Sequence, residues 1–331
     1  MSTFDDVQEP VQREEEETSL TGIDFSGQKL GALDFAGKTL TDCNFSGCDL
    51  EGSDFTGASV TRCDMSLAQL SDCVFDEAHL TEVTLAKAKL SFASFVRSHL
   101  SHVSLAFASL EQALLQACVF EDVSWPSVSL VQATLLELSH LPPFLEADLT
   151  QTQCLGCDLT GLEMSRSSGS ELFLQNCAGC GMLWQESTLP QCVACNGDFS
   201  GSRFLNCNLS QAGFSASKLT NCDFTGSDLA SAFLDEADLT LAHFAGVRLV
   251  MADLHGAVAN GADFRACDLS MADLSHLAVD HACFDRANLH LANLHAVDRS
   301  RASFASANLS TIRGTDPARL KAEQFRIPQG L

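Results

Sequence analysis

The residues best suited to chemistry in this chain are its cysteines. Fifteen occur in 331 residues, and six of them form three C-x-x-C pairs: Cys154/Cys157, Cys177/Cys180 and Cys192/Cys195. Two such pairs about a dozen residues apart are the usual spacing of a tetrahedral zinc site. Cys177, Cys180, Cys192 and Cys195 meet it, and the CAGCG run around Cys177 looks like a zinc knuckle. A plainer reading competes. Eleven of the fifteen cysteines, among them Cys43, Cys63, Cys157, Cys177, Cys192, Cys207 and Cys222, sit two residues before a central position on a five-residue beat. Cysteine is small and buries well, so packing alone explains that spacing. Cys180 and Cys195 follow their central positions and should point outward. Inward and outward thiols on one rigid coil do not easily share a metal. Structural filling is the favoured reading, no bound metal or cofactor is expected, and zinc at these four thiols is the alternative.

Histidines offer a second pattern. His79 and His99 lie twenty residues apart, and His255 and His295 lie forty apart with His290 near. Stacked imidazoles supply two metal ligands, but no third ligand is placed nearby, and they read as solvated surface groups. The sequence contains no nucleophile elbow, phosphate-binding Gly loop or metalloprotease helix motif. A non-catalytic protein is expected.

The beat that positions these residues starts at Leu20. Leu or Phe recurs at 20, 25, 30, 35, 40, 45, 50 and 55, and the rhythm runs with substitutions to Leu135. It resumes at Phe144 and continues to Leu309, displaced by one. Every fourth central residue is large: Phe25, Phe45, Met65, Leu85, Leu105 and Trp125, then Phe144, Met164, Trp184, Phe204, Phe224, Phe244, Phe264, Phe284 and Phe304. A twenty-residue return of the largest side chain implies a solenoid of four-sided coils, grown by repetition. Its continuity across 136–143 favours one rod with a single residue dropped. Pro142 and Pro143 lack backbone donors and suit an interrupted ladder. At one strand spacing of ~4.8 Å per coil, roughly 15 turns would make a rod of about 70 Å. From 162 to 198 the pattern degenerates, with Gly169, Gly179 and Ala194 at central positions, which predicts loose packing or a bulging wall.

The units ADLTL (237–241), ADLHG (252–256), ADFRA (262–266), ADLSH (272–276), ANLHL (287–291) and ANLST (307–311) resemble the A(D/N)LXX unit of pentapeptide-repeat proteins. The resemblance implies an all-β fold: a right-handed quadrilateral β-helix with the central residue and the small residue before it pointing inward. It implies no single function. Members of that family include DNA-mimicking inhibitors of topoisomerase II and accessory proteins of bacterial secretion systems, and fold alone does not choose among them.

Residues 1–19 carry seven acids and one Arg and read as a disordered acidic arm; residues 20–309 carry net −20 and residues 310–331 net +2. An acidic body argues against direct binding of nucleic acid through its phosphates. A 70 Å duplex carries roughly 40 phosphate charges, about twice the coil's charge, so mimicry of DNA is not demanded. No apolar run is long enough to span a bilayer and no secretory signal is visible. The expectation is a bacterial-type cytoplasmic protein, with export by a dedicated secretion system left open.

Surface departures from the repeat carry the functional expectations. Met251, Met271 and Leu291 recur at one corner position, with Val250 beside them, as an exposed apolar ladder for a partner protein. Val131, Leu136, Leu138 and Leu141 leave more apolar groups at the break than the core needs, giving a kink packed on itself or a docking point. TDPARLKAEQF (315–325) predicts a helix with Asp316 as N-cap and Pro317 at its first position. Leu320 should bury against the last coil and Phe325 should join it, as a cap or as a homodimer contact. The favoured function is a rigid protein-binding scaffold or adaptor. The alternatives are a DNA mimic that binds gyrase and a metal-dependent regulator built on the C-x-x-C pairs.

Overall fold

The computed structural model describes residues 18–324. The acidic arm lies almost wholly outside the described residues, and so does Phe325. The described residues form a parallel β-solenoid followed by one short helix. Four columns of parallel pairing, represented by Leu20↔Leu40, Asp24↔Asn44, Lys29↔Asp49 and Asp34↔Asp54, step by 20 residues. Pairing at this step continues to Asn293↔Arg313.

Each five-residue side ends in a tight turn. Gln28 N–H donates to Phe25 O at 3.1 Å and Lys38 N–H to Phe35 O at 3.0 Å. The residue two after the centre takes positive φ, as at Gly27 (+67°) and Gly37 (+64°). Where the i→i+3 bond is made this is a type II turn. Sides such as Thr39–Thr41 and Ser59–Thr61 turn through a positive φ at Asp42 (56°) and Arg62 (49°) without that bond. In both cases the turns recur too often to allow strands longer than three residues. The Asp or Asn before each centre caps the next turn: Ser66 N–H donates to Asp64 Oδ1 at 2.8 Å and Ser270 N–H to Asp268 Oδ1 at 3.1 Å. Much of the negative charge is therefore architectural. More of it is matched between neighbouring coils, as in Arg62–Asp42, Arg97–Glu77, Arg166–Glu146 and Arg248–Asp228.

The large central residues stack face to face. Phe224, Phe244, Phe264 and Phe284 follow one another at centroid separations of 4.8, 5.0 and 4.7 Å, about one strand spacing. Phe35, Phe55, Phe75 and Phe95 form a second stack on another side. Trp125 and Trp184 are interior members of the first stack.

At the break, Ser129 pairs with Asp148 and Leu135 with Cys154, a step of 19. One coil is a residue short. The shortfall is absorbed inward: Leu138 is 1% exposed and Leu141 is buried. This corrects their assignment as docking residues, because the apolar surplus at the break fills the core. Trp125 Nε1 donates to Pro142 O at 3.1 Å and Pro143 O at 3.2 Å, tying the shortened segment to the stack.

The stretch 162–198 does not bulge outward, but it is packed less tightly than the rest: a small enclosed apolar void lies among Phe144, Leu162, Met164, Leu172, Leu174 and Trp184. Leu162, Leu172 and Met182 occupy the slot that elsewhere holds a small residue, and all are buried. A Cβ on Gly179 would lie 2.7 Å from Phe199 Cδ1 and 3.0 Å from Met182 Cε. Side-chain volume has moved from one inward column to its neighbour, so pairing such as Ser168↔Thr188 and Ala178↔Asp198 continues unbroken.

Helix α1 (Pro317–Glu323) begins at Asp316, which accepts from Ala318 N–H at 2.8 Å and Arg319 N–H at 3.2 Å. No residue of this helix is buried, and Leu320 is only half-buried. The expected apolar anchor is replaced by polar contacts to His295, because the helix is too short to lay a full apolar stripe on the coil end.

Candidate protein-binding face

Backbone bonds from each coil to the next align Phe92, Gln112, Gln132, Gln151, Glu171, Gln191, Gln211, Ser231, Met251, Met271 and Leu291 along one corner of the rod. This corner contains the sequence-derived ladder. Met251 is 58% exposed, Met271 53% and Leu291 36%; Val250 is half-buried beside them. All three ladder residues have positive φ, between 59° and 63°. Large side chains at these positions carry roughly 1–2 kcal/mol of local strain that glycine would avoid. Packing does not repay it, because the side chains face solvent.

Between Phe92 and Met251 the same corner is a ladder of amides. Gln112 Nε2 donates to Gln132 Oε1 at 2.5 Å, Gln132 to Gln151 at 2.7 Å, and Gln151 to Glu171 at 3.0 Å; Gln191 donates to Gln211 at 3.0 Å. Beside it runs a flat face whose outward residues include Leu114, Leu136, Leu155, Phe173, Val193 and Phe233. Two shallow grooves of about 630 Å³ and 470 Å³ lie between amides and apolar groups. Glu171 is the one charged residue lining them. As far as Phe233 this charge-depleted strip, on a body of net −20, has the composition of an interface core; beyond it the face carries Asp235, Asp253 and Asp273 beside the methionine corner. Sequence reasoning missed this ladder. Its signal was glutamine recurring every twenty residues, shortened to nineteen at the break.

Leu136, half-buried, belongs to this face, whereas Leu138 and Leu141 do not reach it. The four thiols considered for zinc divide as expected: Cys177 and Cys192 are buried, and Cys180 and Cys195 half-exposed. Inward thiols donate to backbone carbonyls of an adjacent coil, as Cys177 Sγ does to Cys154 O at 3.3 Å and Cys267 Sγ to Phe244 O at 2.6 Å. Burial pushes Cys192 up to about 12 and Cys63 up to about 11. These thiols are fillers that also satisfy carbonyls.

Among the described residues, one trio of metal-capable side chains converges: His276, His295 and Glu323. Both His276 Nε2 (3.1 Å) and His295 Nε2 (3.0 Å) meet Glu323 Oε2. His295, 2% exposed, is no surface group, in contrast to the reading from sequence. Its Nδ1 accepts the backbone N–H of Asp316 at 3.1 Å. The neutral ring then carries its proton on Nε2 and donates it to Glu323. A metal at Nε2 would require a proton on Nδ1, facing another donor, which is the reverse of the outer shell that metal-bound histidines keep. The trio is a latch for the helix, and Glu323 is held down to about 2, chiefly by the His295 hydrogen bond. His79 and His99 stack at 5.9 Å as neighbours, and His290 Nδ1 pairs with Thr311 Oγ1 at 2.7 Å.

Two family models, both described as pentapeptide repeats, match the chain: one over residues 18–57 and several overlapping spans from 189 to 286, the other over residues 40–84. No curated protein matches it significantly. Similar solved structures include a pentapeptide repeat protein of the Arabidopsis thaliana thylakoid lumen, at 33% identity and TM-score 0.28, over 29% of this chain and 66% of that one. HetL, involved in heterocyst differentiation regulation in the cyanobacterium Nostoc sp. strain PCC 7120, is 20% identical over 90% of this chain and 91% of its own, with TM-score 0.18. QnrB1, a plasmid-mediated fluoroquinolone resistance protein, is 17% identical over 64% of this chain and 86% of its own, with TM-score 0.24. With its coils of four five-residue sides, its inward small and large residues and these matches, the chain belongs to the pentapeptide-repeat proteins.

Proposed function

We propose that this protein is a rigid, non-catalytic scaffold whose partner protein lies along the charge-poor face between Gln112 and Phe233 and the apolar corner that continues to Leu291. The observation that carries this reading is the recurrence of exposed apolar side chains on three successive coils of one corner, Met251, Met271 and Leu291; positive φ itself is general to the corners, Leu67, Phe107 and Leu241 included. Phe233, 50% exposed on the adjoining face, extends the same surface. The DNA-mimic alternative is less favoured because many carboxylates are already engaged by backbone N–H groups and by Arg or Lys of the next coil. Reduced, buried thiols suit a cytoplasmic, bacterial-type setting. No helix among the described residues is long and apolar enough to cross a membrane. A homodimer through the C-terminal region has weaker support, since only half-buried Leu320 represents it among the described residues.

The test uses tagged full-length chain in its own cells. Phe233→Asp and Met271→Asp should lose a partner that wild type and Leu67→Asp, altered on a different corner, both retain. Equal recovery by all four would sink the scaffold reading. Inhibition of gyrase supercoiling by the purified chain, undisturbed by Met271→Asp, would put the mimic in its place.

A further inference from the structure

The two ends of the coil stack differ, and each offers what the other lacks. Inside the rod, coils bond by one rule: Phe284 N–H donates to Ser303 O at 2.7 Å, and Ser303 N–H donates back to Ala282 O at 3.0 Å. In the last coil the N–H groups of Phe304 and Leu309, which stand where Phe284 and Leu289 stand one coil earlier, have no acceptor among the described residues. In the first coil it is the other member of the pair, at Asp24 and Lys29, whose N–H has none there. The last coil of one copy and the first coil of another would therefore pair by the rule the interior already follows. Like ends would meet with strands running in opposite directions and could not continue the parallel ladder.

Both ends also leave core residues partly uncovered, Leu20, Ile23 and Phe25 at one and Phe304, Leu309 and Ile312 at the other. Helix α1 does not bury them. Its Glu323 ties it to His276 and His295, on successive coils of the wall, and none of its own residues is buried. An open strand edge over apolar residues is a template for another chain.

Charge selects the same pairing of ends. Residues 286–324 carry net +3 on a body that is otherwise acidic, whereas residues 18–57 carry net −4. The three acids of the C-terminal stretch are engaged: Asp298 accepts from Ser300 N–H, Asp316 caps the helix and Glu323 holds the histidines. Arg299, Arg313 and Lys321 are exposed and make no ion pair among the described residues. The complement is the run Glu14 to Glu17, which directly precedes Thr18. It cannot meet these cations within its own chain. Four extended residues reach at most about 14 Å, while the ladder advances ~4.8 Å for every 20 residues and separates the first and last coils by about 70 Å.

We propose that this chain assembles head to tail with further copies of itself. The first coil of one copy stacks on the last coil of the next, and the Glu14–Glu17 run lies on the rim of Arg299, Arg313 and Lys321. A heterologous contact along the rod axis does not close, so it builds open chains of copies. The contact uses the rod's ends and leaves the partner face on its side free.

Sedimentation velocity of the full chain at low ionic strength should show mass rising with concentration well beyond a dimer, and added salt should lower it. Two variants separate the ends. One carries Glu14→Lys, Glu15→Lys, Glu16→Lys and Glu17→Lys; the other carries Arg299→Glu, Arg313→Glu and Lys321→Glu. Each alone should self-associate at least about tenfold more weakly than wild type. Mixed in equal amounts they should associate again, because every arm then finds a rim of opposite charge. Melting temperatures equal to wild type would show that both variants fold. A wild-type chain that stays monomeric at every concentration overturns the inference. So does a mass that stops at two copies, which marks a closed contact between like ends, or a mixture that stays as dissociated as its components.

Discussion

Trp125 Nε1 donates to the carbonyl of Pro142 at 3.1 Å, whereas Trp184 Nε1, in the same stack, is buried without a partner. Two tryptophans that look equivalent in the sequence therefore differ in what they contribute. Trp125→Phe leaves two carbonyls at the break short of a donor and should destabilise by about 1–3 kcal/mol. Trp184→Phe removes an unsatisfied N–H, which offsets part of its cavity, and should cost less than about 1 kcal/mol. Denaturant melts of the two variants check the ordering, and equal losses would contradict it.

The corner methionines give the opposite separation, between stability and binding. Met271→Gly relieves left-handed strain of roughly 1 kcal/mol and loses little packing, so thermal stability should hold or rise slightly. Partner recovery should nonetheless fall. Phe264→Ala, in the stack, should cost about 3–5 kcal/mol. A Met271→Gly protein that melts as early as Phe264→Ala would show that the methionine is structural.

Thiol reactivity should report the coil's inside and outside. Burial pushes Cys73, Cys118, Cys222 and Cys267 each up to about 12, so they are neither ionised nor reachable near pH 8. Iodoacetamide on native protein should label Cys180, Cys195 and Cys283, the half-exposed three. Mass spectrometry showing early labelling of Cys267 would contradict the packing described here.

The helix latch should release in acid. Hydrogen bonds from His295 and then Arg319 hold Glu323 at about 2, below its ordinary 4.5. A depressed folded value means the contribution is complete above about pH 4.5 and is lost as pH falls toward 2. Amide exchange in Pro317–Glu323, corrected for intrinsic rates, should rise across that window in wild type. Glu323→Gln should exchange rapidly throughout it. A wild-type profile that stays flat would remove the latch.

The coil was legible in the sequence because its period is local: each five-residue unit carries its own turn, inward pair and capping Asp. Met251, Met271 and Leu291 were legible as exposed for the same reason. Leu138 and Leu141 were not, since the break abolishes the beat that says which way a side chain points. Nor were the shallow grooves around Glu171, which depend on Gln153, Phe173, Val193 and Gly213 arriving side by side from successive coils. Phe325 and most of the acidic arm lie outside the described residues, and their expected roles stay with the sequence.

From residue order alone follow the four-sided coil, the interior stack through Trp125 and Trp184, and the filler role of the inward cysteines, because each rests on periodicity within one chain direction. The tertiary structure alone decided that His295 is buried and meets Glu323, that the break packs inward, and that the stretch of one face from Gln112 to Phe233 is poor in charge. Those facts depend on neighbours about twenty residues or more away in sequence and one strand spacing away in space, a distance that no local pattern encodes.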